Sequence, residues 1–256
     1  MNINKEIYNS KDIVNKYKQK SYLFKGEKIL IENLKNNINN GKMLDIGIGT
    51  GRTTKYFSQY FNKYVGIDYA EEMINTAKQT YKNKNIQFFC LDAKNMNIFN
   101  DNEFDYILFS FNGIDCVSFD DRLKILTEIK RIAKPRATFV YSTHNIYNIP
   151  KLFSFHMPKN PLNIIPEIKR VKKINTINKN PDQLLKSDYV IITDGDIDFS
   201  VQYYYGNMNF EFEQLKKIGF TPKHFYSLKN GSKYSNKTKW ENITTPWILI
   251  ETTVNE

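Results

Sequence analysis

The stretch Leu44-Asp45-Ile46-Gly47-Ile48-Gly49-Thr50-Gly51-Arg52 follows a short apolar run and opens a helical pattern. Glycines at 47, 49 and 51 permit a tight turn with positive φ and let the backbone approach a ligand without Cβ obstruction. In a doubly wound sheet such a turn lies at the carboxyl end of the first strand, where nucleotides bind. A dinucleotide fingerprint, G-x-G-x-x-G, needs glycine at 52; position 52 is Arg, which weakens a pyrophosphate reading. Asp45 adds a carboxylate that repels phosphate and suits the ammonium of an amino-acid moiety. A purely structural turn stays open as the alternative.

Outward from this turn, short apolar runs alternate with helical spacing. Residues 43–46, 64–67, 86–91, 104–109 and 137–141 read as strands, and 28–35, 52–62, 70–82 and 119–134 as helices, with Ser118 and Asp121 as a capping box for the last. Strands separated by helices imply crossovers and a mainly parallel sheet. Beyond 141 the pattern breaks, and Pro150, Pro158, Pro161, Pro166 and Pro181 punctuate any regular element. Asp194-Gly195-Asp196 between the apolar runs 189–193 and 197–205 is a hairpin signal. Residues 210–219 then read as a helix stopped by Gly219, and 221–229 with 247–254 as a final antiparallel pair. The expected fold is α/β: a doubly wound, mostly parallel seven-stranded sheet with helices on both faces, an antiparallel last strand and an inserted lid or hairpin region.

Three further segments fall at carboxyl ends of neighbouring strands. Asp68 stands 21 residues after Gly47, where a carboxylate can take both hydroxyls of a ribose; a helix N-cap is its alternative role. Asp92, read as ending the third strand, can accept from an adenine amino group. Phe109-Ser110-Phe111-Asn112-Gly113 ends the fourth. In a parallel sheet all of these converge on one crevice.

Composition narrows the class. A hydrophobic fraction of 41% over 256 residues supports a packed globular core. No apolar run reaches the roughly 18 residues of a membrane span, and Met1-Asn2-Ile3-Asn4-Lys5-Glu6 lacks a signal region, so a cytoplasmic protein is expected. Cys90 and Cys116 lack metal-ligand spacing and read as buried small hydrophobes. The net charge of +10 comes from 37 basic residues of which only 5 are Arg, which makes nucleic acid an unfavoured partner without excluding it. The excess sits in the C-terminal half, at 151–190 and 223–239, either as solvated loops or as attraction for an acidic substrate.

Asp45-x-Gly47-x-Gly49-x-Gly51, Asp68, Leu91-Asp92-Ala93 and the 104–113 segment together resemble class I, Rossmann-like S-adenosylmethionine-dependent methyltransferases. So does Glu128-Ile-Lys-Arg-Ile-Ala-Lys-Pro135, although the family's usual Gly-Gly after that Pro is Arg136-Ala137 here. The resemblance covers roughly 40–145 closely and 209–254 loosely. It implies S-adenosyl-L-methionine as cofactor and S-adenosyl-L-homocysteine as product. It implies Gly47, Gly49, Thr50 and Gly51 with Asp45 at the methionine part, and Asp68 on the ribose. Tyr69 and Met73 would border the adenosine, Asp92 and Ala93 face adenine, and Ser110 and Phe111 close the pocket. Tyr17 offers an aromatic wall to the sulfonium. The implied organisation is a single domain, 1–256: a helical cap (1–40), a cofactor-binding core (41–148), an inserted acceptor-side lid with hairpin (149–208), and the last helix and strand pair (209–256).

For the chemistry, His144 is the candidate base, with Asn112 and Asn145 orienting the acceptor and Tyr203 and Tyr205 as acceptor walls; a loop or core role is the alternative for the histidine. Segments 111–115 and 142–145 look similar to small methyltransferases of bacterial surface-polysaccharide (capsule) pathways. That suggests O-methylation of a small anionic acceptor, such as a nucleotide-linked or phosphorylated sugar or phosphoramidate. The alternatives are a tRNA, rRNA or other small-molecule N-methyltransferase, a nicotinamide oxidoreductase, and a non-enzymatic cofactor-binding module. Thr143-His144-Asn145 lacks the Asp-Asn pair of metal-assisted relatives, so no metal is expected.

Overall fold

The computed structural model describes residues 3–36, 41–235 and 237–256. Residues 1–2 and 37–40 of the expected helical cap lie outside them. In chain order come α1 (Ile3–Asn9), α2 (Lys11–Lys18), α3 (Lys25–Asn36), β1 (Lys42–Ile46), α4 (Thr54–Phe57), β2 (Lys63–Asp68), α5 (Glu71–Thr80), β3 (Ile86–Cys90), β4 (Phe104–Phe109), α6 (Phe119–Ile132) and β5 (Ala133–Asn145). Then follow α7 (Ile149–Phe153), α8 (Ile164–Ile177), α9 (Pro181–Leu184), β6 (Tyr189–Ile192), β7 (Tyr203–Gly206), α10 (Met208–Ile218), β8 (Phe220–Ser227), β9 (Lys233–Tyr234) and β10 (Trp247–Val254).

One sheet holds all the described strands in the order β3-β2-β1-β4-β5-β10-β8-β9, with β7 beside β5 and β6 beside β7. The sheet has ten strands of mixed orientation, where seven were expected. The β3-β2-β1-β4-β5 half is parallel throughout; β10 pairs antiparallel with β5, and β8 antiparallel with β10, so β8 runs in the direction of the first half. The extra strands have a physical cause. β5 runs 13 residues and outlasts β4, whose last partner is Phe109 opposite Tyr141. The bare edge this leaves is taken by β7, with His144 opposite Tyr205 and Asn145 opposite Gly206. The hairpin strand therefore joins the main sheet directly over the carboxyl ends of β1, β2 and β4.

Both faces of the parallel half are buried, so successive residues feed opposite cores. Leu44, Val65, Ile107 and Phe139 pack on one side with Ile125, Ile129 and Ile132 of α6 and Phe212 and Leu215 of α10. Met43, Tyr64, Leu108 and Val140 pack on the other with Leu30 and Leu34 of α3, Phe57 of α4 and Ile74 and Ala77 of α5. A fully buried side chain of this kind contributes about 1.5–3 kcal/mol relative to leaving it exposed. Ser118 caps α6 by accepting from the Asp121 N–H at 3.2 Å, and Gly219 ends α10 at φ 105°.

Several local readings are corrected. The hairpin's second strand begins at Tyr203 rather than 197, because Ile197, Asp198 and Phe199 take left-handed φ of 45°, 52° and 64° in the connection. The proline-rich insertion still builds the 14-residue α8, since Pro166 occupies its first turn, where a helix needs no N–H donor. Cys90 is exposed, not buried, because it ends β3 at the sheet edge; Cys116 is half-buried. No helix of the described residues is long and apolar enough to cross a membrane.

Candidate active site

A cleft of about 1040 Å³, counted out to its mouth, lies where the strand ends converge. Its floor is the glycine turn. The N–H groups of Gly47 and Ile48 both donate to the Ile67 carbonyl, at 2.8 and 3.2 Å, which folds the turn back against β2. Gly47 and Gly49 line the cleft with φ of 64° and 56°, and a Cβ on Gly49 would stand 3.4 Å from the Tyr17 ring. Asp68 pins the same turn: its carboxylate accepts from the Gly49 N–H and the Ala70 N–H, each at 2.9 Å. Ala70, not Asp68, occupies the N-cap of α5. Burial pushes the Asp68 carboxyl up to about 6, against the opposing pull of those N–H bonds.

Tyr17, Tyr69, Met73, Ala93, Ser110 and Phe111 join this floor in lining the cleft. The Tyr69 hydroxyl is buried without a hydrogen-bond partner. Asp45 and Thr50 line a smaller adjoining pocket of about 350 Å³ with Arg52. Asp45 accepts from the hydroxyls of Thr53 and Tyr64 at 2.5 and 2.6 Å, and burial raises its carboxyl to about 7. Arg52 forms two bonds to the fully buried Glu27, at 2.7 and 2.6 Å; Glu27 also accepts from Ser110 Oγ at 2.5 Å. This ties α3 to both the glycine turn and the end of β4.

Some expected residues stand elsewhere. β3 ends at Cys90, two residues early, and Asp92 is not in the lining; its carboxylate accepts from the Lys94 N–H at 2.9 Å and is half exposed. Leu91 and Ala93 face the cleft on either side of it. Gly51 lines neither pocket and accepts the Tyr81 hydroxyl on its carbonyl at 2.9 Å. Asn145 is spent on structure, with Nδ2 donating to the Ile243 and Thr245 carbonyls at 2.6 and 3.1 Å. Tyr205 lies behind the lining, stacked on His144 at 4.6 Å, while Tyr203 lines it.

Opposite the glycine turn stand Asn112 and His144, both in the lining. His144 Nδ1 lies 2.8 Å from Asp115, whose carboxylate also accepts the His144 N–H at 2.7 Å and the Thr143 hydroxyl at 3.0 Å. Arg122 holds Asp115 at 2.8 Å and Glu211 at 2.6 Å, with all three side chains buried. A carboxylate accepts only, so in the neutral ring Nδ1 carries the hydrogen and Nε2 presents its lone pair. Nε2 lies 3.3 Å from Asn112 Nδ2, and Asn112 Oδ1 is left buried and unpartnered. Phe111 and Asn112 hold φ of 61° and 60°, strain of about 1–3 kcal/mol each that keeps this turn against the cleft.

Sequence reasoning missed Asp115, Tyr8, Asp194, Asp196 and Trp247, the last four of them lining residues. Asp115 stands in the 111–115 segment, but its partner is 29 positions away and meets it only through the β4–β5 pairing. Asp194 and Asp196 read in the sequence as turn formers; the signal for more is two carboxylates on either side of Gly195, next to an aromatic run.

Residues 43–136 match the family described as "Methyltransferase domain". The match covers less than half of the chain, and the fold is that of the class I, Rossmann-like methyltransferases. A demethylmenaquinone methyltransferase of Staphylococcus saprophyticus is 36% identical over 109 residues, which is 41% of this chain and 45% of that protein. This chain thus spans about half the length of the curated relatives it matches. The crystal structure of an S-adenosylmethionine-dependent methyltransferase from Clostridium acetobutylicum superposes with TM-score 0.62 at 15% identity, covering 91% of this chain and 92% of that one. The 1,6-didemethyltoxoflavin-N1-methyltransferase of Burkholderia thailandensis, solved with bound 1,6-didemethyltoxoflavin and S-adenosylhomocysteine, superposes with TM-score 0.61 at 13% identity, covering 99% and 87%.

The superposed structures are S-adenosylmethionine-dependent or hold S-adenosylhomocysteine, and the residues present here fit that cofactor. A Cβ on Gly49 would project between Tyr17 and Met73, and one on Gly47 would collide with the Phe109 ring at 2.8 Å; Asp68 offers a carboxylate for a diol, and the adjoining pocket sets Asp45 against Arg52, opposite charges for a zwitterionic amino acid. Leu91, Ala93 and Met73 supply an apolar slot for a base. Among the described residues, no three His, Cys, Asp or Glu are grouped to hold a metal ion.

Proposed function

We propose that this protein is a methyltransferase that moves a methyl group from S-adenosylmethionine to an oxygen or nitrogen of a small molecule. The observation that carries the reading is a single cleft with the glycine turn and Asp68 at one end and an Asp115-oriented His144 at the other. When bound, the cofactor supplies an electrophilic methyl whose carbon–sulfur electron pair leaves with neutral sulfur. The chain's own residues do the rest. Gly47, Gly49 and Asp68 fix the cofactor, so the acceptor meets it in one orientation, and alignment of this kind is worth up to about 7–11 kcal/mol. His144 Nε2 takes the proton that the acceptor gives up as its oxygen or nitrogen gains the methyl. Asp115 keeps the ring in the tautomer and plane that this requires.

The lysine-rich insertion suggested an anionic acceptor, such as a phosphorylated capsule precursor. The cleft argues the other way. Among the described residues, its charged lining is Asp68, Asp194 and Asp196, with no lysine or arginine. We therefore set the anionic acceptor aside and keep the small-molecule reading.

Calorimetric titration with S-adenosylhomocysteine tests the cofactor half, with micromolar affinity expected. No heat at millimolar ligand, about −4 kcal/mol, would end the proposal. His144→Ala should lower kcat at least about 100-fold, within the usual range for losing a general base, and leave that affinity within twofold.

A further inference from the structure

The acceptor side of the cleft is built almost entirely of hydrogen-bond acceptors and aromatic rings. Asp194 and Asp196, on the connection between β6 and β7, both reach the lining. Each accepts one tyrosine hydroxyl and one backbone N–H: Asp194 from Tyr205 at 2.9 Å and from the Asp196 N–H at 3.0 Å, Asp196 from Tyr203 at 3.2 Å and from the Ile197 N–H at 3.0 Å. A carboxylate has about four lone-pair positions, so both keep capacity for further donors. Asn112 supplies an independent sign. It is 96% buried and in the same lining, and its Oδ1 has no partner. His144 Nε2 accepts from Asn112 Nδ2 at 3.3 Å, which leaves the amide oxygen as the acceptor still to be filled. Lys20 stands 4.6 Å from the Tyr17 ring centre and 4.8 Å from that of Phe111, and it offsets one of the two carboxylates, not both. Tyr203 and Trp247 are in the same lining, and aromatic rings are the side chains a cation favours beside carboxylates.

Building on the methyl-transfer reading, we propose that the acceptor is a cationic small molecule: an aromatic or compact aliphatic body bearing a protonated amine or amidine. Asp194 and Asp196 take its charge, Asn112 Oδ1 takes one of its N–H donors, and its hydroxyl or second nitrogen is presented to His144. The protein is thus lysine-rich outside and carboxylate-lined within, and its pocket rejects phosphorylated competitors.

The test uses three probes that share an indole ring and differ in the charge of the side chain at its 3-position: tryptamine, 3-methylindole and indole-3-acetate. Each is titrated into the full chain saturated with S-adenosylhomocysteine, with binding followed by saturation-transfer NMR. Tryptamine should bind at least about ten-fold more tightly than indole-3-acetate, equivalent to about 1.4 kcal/mol. Asp196→Asn should shrink that ratio, and the Asp194→Asn, Asp196→Asn double variant should bring it close to one. S-adenosylhomocysteine affinity should stay within twofold in both. Asp196 is exposed, so the single variant keeps the test valid where the double variant folds poorly. Equal or tighter binding of indole-3-acetate, or no binding by any probe to the cofactor-saturated protein, overturns the inference and leaves the methyl-transfer reading standing. Failure of S-adenosylhomocysteine to bind is a different result, and it removes both.

Discussion

Asp68 joins two backbone N–H groups to a cleft that needs its charge, and the pH dependence follows. Its carboxyl sits near 6 because burial disfavours the anion. A ribose diol donates to the anion, so cofactor affinity should be full at pH 8, above the range of both Asp68 and Asp45. It should weaken in a first step as Asp45 protonates near 7 and in a second as pH falls through 6, approaching ten-fold per unit for Asp68 below that. Asp68→Asn imitates the protonated state, and its affinity for S-adenosylhomocysteine should lie about ten-fold or more below the parent at pH 8, with only the Asp45 step left in its profile. Calorimetry at pH 5.5, 7 and 8 checks this; a parent profile of the same shape as the variant's removes the assigned role. At this scale the cofactor end of the site was legible. Glycine spacing and a strand-terminal acid are local patterns. Asp92 stands outside the lining because its strand stops two residues early, at the edge of the described sheet. Asp115 was not legible because its role is made by a neighbour in space.

At the scale of elements, the insertion 149–206 has a core of its own. Ile149, Phe153, Ile174, Leu184 and Val190 pack with Tyr203 and Tyr205, so the tyrosines at the cleft are seated on the insertion's apolar cluster. Ile174 on α8 is fully buried and is not a lining residue. Ile174→Ala should cost about 2–5 kcal/mol locally. Hydrogen exchange should speed up across 189–206 while 43–68 stays protected, and acceptor KM should rise with cofactor affinity unchanged. Uniform loss of protection would mean that the insertion is not a separate packing unit. The alternating core half of the sheet was readable because strands buried on both faces show as short apolar runs between helical patterns. The docking of β7 against the overhang of β5 was not, since it depends on β5 being longer than β4.

For the molecule as a whole, a net charge of +10 coexists with a carboxylate-lined cleft. Lysines spread over the surface attract polyanions without reading them. Binding to a mixed tRNA pool should be weaker than about 1 μM at 150 mM salt and should fall steeply as salt rises. It should leave S-adenosylhomocysteine binding untouched. Nanomolar binding that survives 300 mM salt would bring RNA back as the acceptor. Composition announced the charge but not its partition, because sequence order does not say which carboxylates turn inward.

Arg122 clasps Asp115 on one side and Glu211 of α10 on the other, and Glu211 also accepts the hydroxyls of Tyr141 and Tyr204. The tilt of the imidazole is thereby steered from a helix that never touches the cleft. Substituting Glu211 by Gln should move the His144 ring nitrogen resonances while leaving those of Gly47 and Gly49 still. Sequence drift in the last quarter of the chain can retune proton transfer without altering a single wall of the pocket.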